Sequence, residues 1–96
     1  MKATRITEAR TFTDLPNIGP AIAAGFMLLG FAHPAELAGQ DPLSLYRRLE
    51  GMTGGYQDPC VLDTFMAAVA FAEGGPAMPW FAFTAARKRA HPKLHG

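Results

Sequence analysis

Ninety-six residues hold one domain and leave no material for a second core. With 49% hydrophobic and 18% charged residues the chain is globular rather than disordered, and it is too small for a deep enzyme cavity. The net charge of +1 hides a segregation. Lys2, Arg5 and Arg10 against Glu8 leave residues 1–10 at +2, and Arg87, Lys88, Arg89 and Lys93 put +4 on residues 87–96. Between them Arg47 and Arg48 face seven acids, a span of −5. A surface for nucleic acid would have to be built by the two ends; otherwise these are solvated tail charges.

No apolar run follows the basic start MKATRITEAR, so no signal peptide is expected. The apolar stretches 20–32 and 65–72 are too short to span a bilayer. A single cysteine, Cys60, excludes an internal disulfide and suits a reducing compartment, so the expected location is the cytoplasm, with no membrane partner.

No stretch alternates with period two for long, and helices are expected throughout. Thr7 to Thr13 reads as a short first helix, with Ile6, Ala9, Arg10 and Phe12 on a ragged apolar side. Pro20 suits the first turn of a second helix, where its missing N–H costs nothing. Ile22, Ala23, Phe26, Met27 and Leu29 follow at helical spacing, and Gly30 closes it. Pro34 to Ala38 reads as one helical turn closed by Gly39. Asp41 caps a helix that opens on Pro42, buries Leu43, Tyr46 and Leu49 on one face and ends at Gly51. MTGGYQ is a loop, and Asp58-Pro59 repeats the capped start. The longest helix runs from Cys60 to about Glu73 with Val61, Leu62, Phe65, Met66, Val69 and Ala72 as its buried stripe. Gly74-Gly75-Pro76 stops it. A last helix is expected from Pro79 to Arg89, with Trp80, Phe81 and Phe83 inward and the basic run outside. The expected fold is a single all-α domain of about five helices over residues 1–96, with its core at about 12–86 and flexible ends at 1–6 and 90–96.

The stretch Leu15-Pro16-Asn17-Ile18-Gly19-Pro20 has the pattern of a helix-hairpin-helix: a helix, a tight turn written hydrophobic-x-hydrophobic-Gly, and a second helix opening on Ala21. Gly19 is expected at a φ that a side chain would forbid, and it lets a ligand approach closely. Ile18 would plug inward. The N–H groups of Ala21, Ile22 and Ala23, unpaired at a helix start and favoured by the helix dipole, would hold a phosphate oxygen. Asn17 stands where such turns usually carry a first glycine; it tolerates the left-handed conformation but presents a side chain. No Lys or Arg follows the turn until Arg47.

These residues, with Ala23 and Gly30-Phe31, resemble the helix-hairpin-helix region of two small families. One is the C-terminal domain of TfoX-type competence regulators, and the other is the pathogenicity-locus or mitomycin-resistance family. The second likeness extends from about residue 12 to 85, through Glu36-Leu37, Gly39-Gln40-Asp41-Pro42, Tyr46, Leu49, Thr53-Gly54, Asp58, Cys60-Val61-Leu62 and Ala72-Glu73. It implies a helix-hairpin-helix core and a DNA-binding activity.

Other constellations have plainer readings. A thiol at a helix start would have its pKa lowered, but Cys60 has no base nearby in sequence and reads as a small buried hydrophobe. His91 and His95 stand four apart, a metal-holding spacing on a helix, yet Pro92 lies between them and no third ligand is in view. Asp58 reads as a cap and Asp63 as an exposed residue on a polar face. Trp80, Phe81 and Phe83 could stack on the bases of a single strand beside Arg87-Lys88-Arg89, but aromatics at this spacing are expected in the core. Met27, Met52, Met66 and Met78 read as packing. With no catalytic triad, zinc spacing or glycine-rich nucleotide loop, neither an enzyme nor a cofactor or metal is expected. The functional expectation is a sequence-independent DNA-binding module. Asn17, Ile18, Gly19, Ala21, Ile22 and Ala23 would cradle phosphate, and Arg87, Lys88 and Arg89 would supply charge. The alternative is a protein-interaction or self-association module, a homodimer included, in which the turn is purely structural.

Overall fold

A computed structural model describes residues 2–94. Among these residues there are four α-helices and four 3-10 turns, with no strand. The helices are α1 (Pro20–Leu28), α2 (Pro42–Thr53), α3 (Pro59–Ala72) and α4 (Thr84–Ala90), and the turns are Ile6–Glu8, Phe12–Asp14, Pro34–Leu37 and Trp80–Phe83. No helix among them is long and apolar enough to cross a membrane.

The proline punctuation places α1, α2 and α3. Asp41 and Asp58 each accept the N–H two residues on, from Leu43 at 3.3 Å and Cys60 at 3.0 Å, ahead of a proline in the first turn. α2 passes through Gly51, where its expected end lay, because Gly54 supplies the left-handed cap (φ 70°) three residues later.

The expected first helix is absent. In its place stand two separate turns, each closed by its own carboxylate. Glu8 accepts the N–H groups of Thr4 and Arg5 at 2.9 and 3.2 Å, and Asp14 those of Arg10 and Thr11 at 2.9 and 3.0 Å. Those contacts fix the chain as two short caps, Ala9 between them is extended, and the β-branched Thr7, Thr11 and Thr13 favour a helix little.

α3 is the centre of the packing, buried along nearly its whole length. Phe12, Phe26 and Phe65 stack in a row with ring centroids 5.3 and 5.0 Å apart, joining the N-terminal turns, α1 and α3. Leu15, Ile18, Leu37, Leu45 and Tyr46 complete the core around them.

The last helix also departs from expectation. It is a 3-10 turn followed by α4, and its facing is reversed. Trp80 and Phe81 are exposed, Phe83 is half-buried, and Arg87 is the side chain that goes inside. The cause is Asp63, fully buried on α3 instead of lying on a solvated face. A buried carboxylate must be paired. Arg87 Nε donates to Asp63 Oδ1 at 2.8 Å, and Thr84 Oγ1 donates to Oδ2 at 2.8 Å. Residues 84 and 87 lie on one face of α4, so satisfying Asp63 sets the rotation of the helix. Met27, Met52 and Met78 are likewise exposed rather than packed, and Met66 alone of the four leans on the core.

Candidate nucleic-acid interface

The turn between Leu15 and α1 is held from below by two fully buried side chains, Leu15 and Ile18. The residue at positive φ is Asn17 (71°), while Gly19 sits at an ordinary φ of −95°. The expected strain at Gly19 is therefore corrected: asparagine takes the left-handed position, since its short polar side chain finds local partners. Asn17 Nδ2 donates to the carbonyl of Met78 at 2.7 Å, and its Oδ1 accepts the N–H of Trp80 at 3.1 Å. Both ends of the amide are thus engaged on the segment before α4.

What Gly19 provides is space. A Cβ built on it meets nothing within 4 Å, and no side chain caps α1. The N–H groups of Gly19, Ala21 and Ile22 meet no acceptor among the described residues, and Pro20 has none to offer. The Ala23 N–H is different, for it is taken by the Gly19 carbonyl at 3.0 Å. The first turn of α1 carries no acid, and Pro20 and Ala21 are exposed. An open, uncapped helix start with its positive dipole end free favours an anion over a cation.

A cation is also held against the turn, on the carbonyl side of the Ile18–Gly19 peptide. Lys2 Nζ donates to the carbonyls of Thr13 (2.7 Å) and Ile18, and the Ala3 N–H donates to the Asp14 carbonyl at 2.7 Å. The start of the chain is therefore laid against the turn, and Lys2 supplies there the positive charge that the sequence after the turn lacks. No periodicity could reveal this contact, because its acceptors are backbone carbonyls up to 16 residues away.

The basic run divides. Arg87 is consumed by Asp63, whose hydrogen bond raises the guanidinium pKa, and with 4% exposure it offers nothing to a ligand. Lys88 and Arg89 are exposed and make no ion pair among the described residues. Of the two central arginines, Arg48 caps the end of α1 through the Leu29 carbonyl at 2.9 Å, and Arg47 meets Glu50 at 3.4 Å.

The remaining candidates carry no chemistry. Burial first, and Asp58 second, push the Cys60 thiol pKa up, opposite to what activation needs. No group of three metal-ligating side chains occurs among the described residues, and His95 lies outside them.

The family model for "Pathogenicity locus" (Cdd1) matches residues 5–89. The chain belongs to the pathogenicity-locus family. Its match to that model takes in both N-terminal turns, the open start of α1 and the Asp63–Arg87 pair, leaving out Lys2. The chain is also 42% identical over 83 residues to the "Mitomycin resistance protein McrB" of Streptomyces lavendulae, an alignment that spans 86% of this chain and 79% of that protein. No solved structure matches this member of the pathogenicity-locus family.

Proposed function

We propose that the protein binds DNA through the sugar-phosphate backbone, without reading sequence, and that the start of α1 is its phosphate cradle. The observation that carries this reading is the open, uncapped helix start, with three N–H groups unpaired among the described residues. Lys88 and Arg89 add charge, and nothing in the reading requires catalysis.

The test is affinity for a short duplex at two salt concentrations, with Ala21→Asp as the probe. Two to four phosphate contacts make affinity fall roughly ten- to a hundredfold between 50 and 200 mM salt. An aspartate in the first turn of α1 is neutral to the fold or stabilises it by about 0.3–1 kcal/mol through the dipole. It repels a phosphate at the same N–H groups, so affinity drops while the melting temperature holds. Unchanged affinity in an intact A21D protein leaves the turn a structural corner.

A protein- or self-association module is the second reading, favoured by the exposed Met27, Leu28, Met52 and Tyr56. It predicts concentration-dependent sedimentation and no duplex binding at low salt.

A further inference from the structure

We propose that Trp80 and Phe81 form a base-stacking platform that gives the protein a preference for single-stranded over duplex DNA. This inference rests on the backbone-binding reading above and names its substrate class. Trp80 is 38% exposed and Phe81 63%. Their rings meet edge to face, with centroids 5.8 Å apart and planes at 86°.

The mount is held at both ends. On one side the Asn17 amide grips Met78 and Trp80; on the other, Thr84 and Arg87 are anchored on the buried Asp63. The backbone under the aromatic pair is thus held, with Phe81 largely open and Trp80 partly so. Ordering already supplied by the fold need not be supplied again on binding.

The mount is also fixed to the phosphate cradle. The Asn17 side chain that receives the Trp80 N–H belongs to the residue two before Gly19, and two residues of chain span at most about 7 Å. The turn that leads into α1 and the segment that carries the rings are thus joined through one amide, so a strand seated on both would cross the Asn17 contact. A duplex keeps its base faces inside the stack, whereas a single strand presents them, and each base stacked on an aromatic ring adds roughly five- to a hundredfold in affinity. Lys88 and Arg89, exposed on the helix that directly follows these rings, add positive charge to the same stretch of chain.

Trp80 is the only tryptophan, so its emission reports on this site alone. The full chain is titrated with a twelve-nucleotide oligo(dT) and with a duplex of equal length at low salt. The expected result is saturable quenching by oligo(dT), with affinity at least tenfold above the duplex. Phe81→Ala should lower oligo(dT) affinity about tenfold and duplex affinity much less, with no change in the unfolding midpoint. Duplex binding with no quenching by oligo(dT), equal affinities, or an indifferent F81A overturns the platform and leaves the backbone reading standing. Binding of neither overturns both. A tryptophan shift that follows protein concentration alone, with a dimer in sedimentation, makes the pair a self-docking face and overturns the inference.

Discussion

Replacing Arg87 by methionine removes the cation from a carboxylate that has no access to water. Asp63 is fully buried, Arg87 Nε lies 2.8 Å from Oδ1, and Thr84 Oγ1 would remain its side-chain donor among the described residues. Stranding one member of a buried pair costs about 3–5 kcal/mol. A domain of this size holds about 5–15 kcal/mol in all, so R87M loses about a fifth of its stability or more. At roughly 4–8 °C per kcal/mol, the melting temperature falls by more than about 12 °C. Urea titration at pH 7 measures the loss, with an unchanged slope showing that the same surface is exposed. The double variant D63L/R87M, which removes both charges and keeps similar volume, should recover most of it. A loss under about 1 kcal/mol, or a double variant no better than the single, would refute the account of why α4 turns Arg87 inward.

Asn17→Gly keeps the left-handed backbone and loses both amide contacts to Met78 and Trp80, so thermal melts should show about 1–2 kcal/mol of destabilisation; Asn17→Ala adds backbone strain of about 1 kcal/mol or more. Gly19→Ala, at φ −95° in open space, should fall within about 0.5 kcal/mol of the parent in the same melts or stabilise it slightly. Glu8, Asp14, Glu36 and Asp58 all have pKa values lowered by hydrogen bonds from nearby backbone or side chains. A depressed carboxylate contributes stability above its unfolded pKa and loses it as pH falls through the folded one, so stability should drop below about pH 4 and change little from 5 to 7. Denaturation of Glu36→Gln against the parent checks this: the gap between them should narrow as the pH is lowered through that range.

The sequence made α1, α2 and α3 legible because their ends are written in local chemistry. An Asp-Pro start or a closing glycine acts within three or four residues, and the apolar stripe of α3 repeats at helical spacing. Ile18 was readable as core from the turn pattern, and Phe12 by its apolarity although the helix expected around it did not form. Trp80 and Phe81 were not readable, since apolarity argues for burial while their exposure is decided elsewhere, by an Asp63–Arg87 pair 24 residues apart. One carboxylate on the middle helix reverses the face of the last one, and no periodicity within that helix encodes it. The failure of Thr7–Thr13 to form a helix has a different origin: Glu8 and Asp14 are good helix starters, and each closed a turn of its own. Lys2 was visible as charge but not as a neighbour of the turn, because carbonyl acceptors leave no mark on a sequence.

The contact between Asn17 and Trp80 joins residues 63 apart, across most of the chain. A link of that span is among the last to be formed in folding, because its loop-closure entropy is repaid only once α2 and α3 have brought the ends together. It is also among the first available to open. Release of the 78–84 segment would free the Asn17 amide, remove the reason for an asparagine at positive φ, and loosen the backbone that leads into α1. Any ligand seated on both sides of this clasp would hold it shut, so occupancy should appear as slowed hydrogen exchange at Trp80 and around Asn17, at opposite ends of the sequence, in step.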